Sequence, residues 1–214
     1  MDITPPVKPL LRGHFHQAMF FISLGATIML LLETKTSREF WSVLIYSLGL
    51  LSMLGISTIY HRIHWNPKSR SLWRKLDHCG IYLMIAGTFT PVTLLALSPE
   101  SGMKLLTIIW VIAFFGILQS IFFVNIPKIF SSLLYLIAGY MVLPYLGELS
   151  AKLSTLSMVM LIAGGFIYSL GALAYAFKWP ALNPRVFGYH EVFHILVSIA
   201  AIMHFALVYS LLQH

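Results

Sequence analysis

Seven long apolar stretches, separated by short polar segments, dominate this chain. They run approximately Phe15–Leu32, Phe40–Tyr60, Cys79–Leu97, Leu105–Val124, Ile129–Leu146, Leu156–Phe177 and Val192–Leu212. Each reaches the roughly 18 residues that a helix needs to cross a ~30 Å hydrocarbon core. Lipid leaves every backbone N–H and C=O to be satisfied inside its own segment, so the pattern predicts seven transmembrane helices in an all-α bundle. The breaks carry turn chemistry: Glu33-Thr-Lys-Thr, Ser98-Pro-Glu-Ser-Gly, Asn125-Ile-Pro-Lys, and Lys178-Trp-Pro through Pro184-Arg185. Pro91 and Pro144 fall inside spans three and five, where each removes a helix hydrogen bond and predicts a kink. Gly165/Ser169 and Ala172/Ala176 on span six predict close helix contact. The first stretch follows a Pro-containing tail and lacks a small-residue cleavage site, so it is expected to stay in the bundle rather than serve as a signal peptide.

Composition supports the same picture. Hydrophobic residues make up 58% of the chain and charged ones 10%, against about a quarter charged in a soluble domain. One domain, residues 1–214, is expected, with no linker or low-complexity tract to divide it. Cys79 is the lone cysteine, which excludes an intramolecular disulfide and thiolate-rich metal sites.

The net charge of +7 is read as a positive cytoplasmic face, not as a nucleic-acid surface. With seven crossings the termini lie on opposite sides. Ten Lys and Arg fall on the N-terminal side: Lys8, Arg12, Arg62, Lys68, Arg70, Arg74, Lys75, Lys128, Lys178 and Arg185. The other side has four: Lys35, Arg38, Lys104 and Lys152. The positive-inside rule then predicts a cytoplasmic N-terminus and an outside C-terminus. Trp65 and Trp73 are expected to anchor the basic 62–76 loop at the interface.

Ionisable groups at membrane depth are costly and mark function. With that orientation, span two ends at Ser57-Thr-Ile-Tyr-His61, span three begins at Asp77-His78, and span seven begins at His190-Glu-Val-Phe-His194. Three distant segments thus bring His or Asp to one depth. His190 and His194 lie one turn apart on one helix face, as do Ser57 and His61. Three neutral imidazoles without cysteine suit Zn²⁺ with a fourth position open to water. Asp77 has a competing reading as the N-cap of span three, and Ser57 as a back-bonded helix serine. His78 points about 100° from Asp77 and is ranked behind it. His16 begins span one on the same face, but nothing in the sequence pairs it. His204, about 15 Å further along its helix, is expected to hydrogen-bond within the core. His14, His64 and His214 are expected to be exposed. His190-Glu191-Val-Phe-His194 also matches the zinc-protease helix H-E-x-x-H, which would require Glu191 to face the ion.

Leu76-Asp77-His78-Cys-Gly-Ile-Tyr-Leu-Met-Ile-Ala-Gly-Thr-Phe-Thr-Pro91 resembles the most distinctive stretch of the hemolysin III family. So do Arg12-Gly-His-Phe-His16, Ser57-Thr-Ile-Tyr-His61, and Phe187-Gly-Tyr-His-Glu-Val-Phe-His194 with Met203-His-Phe205. That family is grouped with the progestin and adipoQ receptors, including the adiponectin receptors. The resemblance implies a seven-helix fold in which His61, His190 and His194 hold zinc, Asp77 lies near its water, and Ser57 matches the family's serine. At Glu191 the adiponectin receptors carry glutamine, which counts against a protease. The wider superfamily includes alkaline ceramidases, which implies hydrolysis of a lipid amide.

The expected function is therefore a zinc-binding integral membrane protein acting as a zinc-dependent hydrolase on a lipid amide or ester. Asp77 would orient water or take its proton, Ser57 would add a hydrogen bond, and the bundle would receive fatty-acyl chains. Other readings are a receptor or membrane-homeostasis protein with structural zinc, a cytolytic protein as the family name implies, and an intramembrane metalloprotease. Replacing Glu191 by Gln is expected to matter little outside the protease reading. The expected setting is a bacterial plasma membrane, with membrane lipid as partner, no nucleic acid, and a homo-oligomer left open.

Overall fold

A computed structural model describes residues 8–180, 182–183 and 185–213. Among these, seven helical segments are long and apolar enough to cross a membrane. They are α1 (His14–Leu32), α2 (Ser37–Arg62), α3 (Pro67–Ala96), α4 (Pro99–Phe122), α5 (Lys128–Tyr140) continued by α6 (Leu146–Lys152), α7 (Thr155–Phe177) and α8 (Tyr189–Leu211). The expected seven-helix, all-α architecture is present, and the protein is a multi-pass integral membrane protein.

Local chemistry sets where the helices begin. Thr36 and Glu39 form a reciprocal capping box at the start of α2. Asn66, Ser98 and Ser154 each accept from a backbone N–H in the first turn of α3, α4 and α7, and Pro67 and Pro99 occupy the first helical position, where no N–H is needed.

α3 begins twelve residues before the apolar stretch that marks it, because its first turns are polar and basic. Arg74 on this extension bonds the Asn125 side chain and the Val124 carbonyl. Trp65 and Trp73 stack at 5.1 Å. The extension also overturns the capping alternative for Asp77. The N-cap is Asn66, and Asp77 lies about three turns inside the helix.

The two prolines behave differently. α3 continues through the buried Pro91, whereas α5 stops at Tyr140 and Leu143–Tyr145 form a 3₁₀ turn around Pro144 before α6.

α2 packs along α3, and α7 along α8. A side chain at Gly49 would place its Cβ 2.6 Å from the Leu83 carbonyl, so glycine is what lets α2 and α3 approach. The expected contact at Gly165 is not made, since a Cβ there would meet nothing within 4 Å. Its neighbour Gly164, about 100° around the helix, is the one pressed against His204. One buried apolar cluster, with Leu30, Tyr46, Leu50 and Val197, joins α1, α2, α3 and α8. A second, with Tyr82, Ile109, Leu149 and Leu161, joins α3, α4, α6, α7 and α8.

Candidate metal centre

The end of α2 and the start of α8 supply three buried histidines. His61 is on the last turn of α2, with His190 and His194 on the first turns of α8. The Nε2 atoms of His61 and His190 lie 3.1 Å apart. One ring nitrogen from each of the three falls within 4.8 Å of the others. Tetrahedral zinc with Zn–N bonds of about 2.0–2.1 Å would separate its nitrogens by roughly 3.3 Å, so the spacing fits one ion. The chemistry of the donors fits as well, being all imidazole nitrogen from buried side chains.

Asp77 approaches from α3, its Oδ2 3.7 Å from His61 Nε2. Asp77, Ser57, His190 and His194 all line one cavity of about 400 Å³. Elsewhere its wall is mostly apolar and extends along α8 to His204. Tyr140 at the end of the shortened α5 and Leu143 beyond it, together with Ile162 and Phe166 on α7, both line the cavity and are exposed on the outside of the bundle. The cavity therefore reaches the lipid-facing surface between α5 and α7.

Glu191 does not belong to the cluster. Its Oε2 accepts the Gly188 N–H at 2.7 Å, capping α8. Its Oε1 is bound by the Arg12 guanidinium, and the carboxylate is fully buried. Both oxygens are thus occupied at the helix start, which removes the basis for an H-E-x-x-H reading.

The residue that sequence reasoning underrated is His16. It is buried, its Nδ1 and Ser57 Oγ are hydrogen-bonded at 2.9 Å, and its ring lies parallel to that of His194 at 3.8 Å. The sequence signal was the Arg12–His16 motif, but contact across the bundle had to be seen to give it meaning. Gly13 in the same motif has φ 82° and caps α1. A Cβ there would come 2.8 Å from His61 Cβ. Leu10 and Leu11 donate backbone hydrogen bonds to the carbonyls of Arg185 and Val186, which pins this segment to the loop before α8. Lys8 donates to the Arg62 carbonyl. Partial burial lowers its pKa, and the nearby charges of Arg62, Arg12 and Arg70 lower it further.

The remaining histidines are distributed as follows. His78 Nδ1 bonds the Arg74 carbonyl, although its ring also lines the cavity. His204 Nε2 bonds the Leu161 carbonyl at 3.3 Å, as a core residue should. His64 is exposed, whereas His14 is only half-exposed and contacts Arg62. His214 lies outside the described residues.

Comparison with known proteins shows the family. The family described as haemolysin-III related matches residues 6–205. The chain belongs to this family. Hemolysin-3 of Bacillus cereus is 33% identical over 195 residues, covering 89% of this chain and 86% of that protein. Human monocyte to macrophage differentiation factor is 27% identical over 203 residues, covering 90% of this chain and 80% of that protein. The adiponectin receptor protein of Drosophila melanogaster is 31% identical over 208 residues, 88% of this chain but 45% of that longer protein. These relatives place the haemolysin-III protein within the progestin and adipoQ receptor superfamily.

Proposed function

We propose that this haemolysin-III protein is a zinc-dependent hydrolase of an amide or ester bond in a membrane lipid, acting in a bacterial plasma membrane. The observation that carries the reading is the position of one carboxylate. Asp77 is set 3.7 Å from a member of a three-histidine cluster, at the polar end of an apolar cavity that reaches the lipid-facing surface.

His61, His190 and His194 would hold the ion. Zinc bound there would supply a Lewis acid for a substrate carbonyl and bring the pKa of a water toward about 7. Asp77 would orient a water and take its proton, and Ser57, tied to His16, offers a hydroxyl at the same cavity end. The apolar walls between α5 and α7 accept an acyl chain from the bilayer and keep bulk water away. Hydrolysis breaks the bond between the acyl carbon and nitrogen or oxygen. The water oxygen stays on the acyl carbon as a carboxylic acid, and its proton leaves with the amine or alcohol.

Purified protein incubated with a ceramide and lipid-ester library, beside a His194→Ala control, tests this. Release of free fatty acid by the native protein alone is expected. Equal release by both, or none by either from a zinc-loaded preparation, overturns it.

A structural metal is the second reading, favoured by the 3.1 Å contact that joins α2 to α8 across 129 residues. Zinc would then stabilise the fold by binding only the folded state.

A further inference from the structure

The Arg12–His16 segment is a sequence motif that the proposed chemistry leaves without a direct role. A metal-ligating histidine almost always donates its outer ring N–H to a carboxylate, a carbonyl or water, and that bond fixes the plane of the ring. His194 lacks this support at Nδ1, which is buried and unpartnered. What it has is a flat face. The His16 ring lies against it at 3.8 Å with only 8° between the planes.

We infer that His16 is a positioning residue of the metal centre, its stacked ring holding the plane of His194 so that the ligand nitrogen keeps its aim. The inference rests on the metal reading proposed above. His16 is not itself within the three-residue ligand group, so its influence on an ion passes through His194.

Three features make the contact stiff enough for this role. His16 is 2% exposed and His194 1%, so the two rings meet inside the bundle, away from bulk solvent. The His16 ring is oriented from its other side by the 2.9 Å bond to Ser57. The backbone that carries it is fixed at its start, where Arg12 is tied to Glu191 and Leu10 and Leu11 are tied to the loop before α8. The motif therefore works as a clasp: α1 reaches across to α8 and sets the angle of a ligand there.

The test uses the full-length protein in detergent, with apolar replacements that differ in shape. His16→Phe keeps a flat face against His194, and His16→Leu does not, while both lose the bond to Ser57. His16→Met serves the same comparison where the leucine variant does not fold. The readouts are zinc affinity by chelator competition, the visible absorption of the cobalt-substituted protein, and melting temperature in the metal-free state.

The leucine variant is expected to bind zinc 10–100-fold more weakly, the usual cost of losing an outer-shell partner, with altered cobalt bands. The phenylalanine variant is expected to recover most of that affinity. Unchanged affinity and spectrum in His16→Leu would overturn the inference. So would equal losses in both variants, or losses fully matched by lower metal-free melting temperatures, because a purely structural role gives those results. Native protein that takes up no zinc would instead remove the metal reading itself, and the wild-type arm of the titration reports that separately.

Discussion

The guanidinium of Arg12 meets the fully buried carboxylate of Glu191, joining residues 179 apart in the chain at the start of α8. Glu191 also caps that helix through Gly188. One side chain therefore fixes both the first turn that carries His190 and the approach of the segment that carries His16.

Glu191→Gln keeps an amide able to cap the helix but leaves Arg12 without its counter-charge. The expectation that this change matters little gives way to a predicted loss of about 1–3 kcal/mol, the cost of weakening a buried charged hydrogen bond. Glu191→Ala should lose more, since the cap goes too. Thermal unfolding in detergent should rank native above Gln above Ala. Unchanged stability with abolished turnover in the Gln variant would revive the protease mechanism.

Gly13 is a second point where the clasp is vulnerable. Its φ of 82° is costly for any residue with a Cβ, and that Cβ would press on His61. Gly13→Ala should cost roughly 1–3 kcal/mol and weaken metal binding. Melting curves with and without chelator measure both effects, and full metal affinity in a folded Gly13→Ala protein would show that His61 is not under this constraint.

The fold was legible because lipid imposes long uninterrupted apolar helices, and length alone marks them. The start of α3 was less legible. The basic turns before Asp77 read as loop, since nothing in local hydropathy distinguishes a polar helical extension from a connection. His61, His190 and His194 were visible through i, i+4 spacing and shared depth. His16 and Glu191 were not, because their roles depend on contacts between α1 and α8, the two ends of the chain. Spacing within one helix says nothing about a ring stacked from another.

Metal content should be one zinc per chain, lost in His61→Ala, His190→Ala and His194→Ala alike. Each variant removes one nitrogen from the buried group. Chelation should lower the melting temperature of the native protein and leave these variants nearly unmoved, because a bound ion stabilises the folded state by mass action. Full occupancy in any one of them removes that residue from the ligand set.

The N-terminus is expected in the cytoplasm and the C-terminus outside, given ten Lys and Arg on one side of the bundle and four on the other. That orientation would put the three-histidine cluster on the cytoplasmic side. Paired reporters at the C-terminus, one active only inside and one only outside, decide it. Activity of the inside-only reporter would invert the assignment.

Asp77 separates catalysis from structure most cleanly. It lies about three turns inside α3, where capping is already supplied by Asn66, so a helix-start role no longer competes. Asp77→Asn preserves shape and hydrogen bonding and removes only the charge that accepts a proton. Asp77 is not within the ligand group, so zinc should stay. General-base assistance is typically worth 10²–10⁴-fold in rate, and a loss of that size is expected with metal content unchanged. Ser57→Ala should also keep the metal, with a smaller loss, since it removes one hydrogen bond near the reacting carbonyl and the partner of His16. Zinc content and lipid hydrolysis must be read in the same preparation. Retained zinc with full turnover in Asp77→Asn would remove the base from the mechanism and leave a structural ion tying α2 to α8 as the better account.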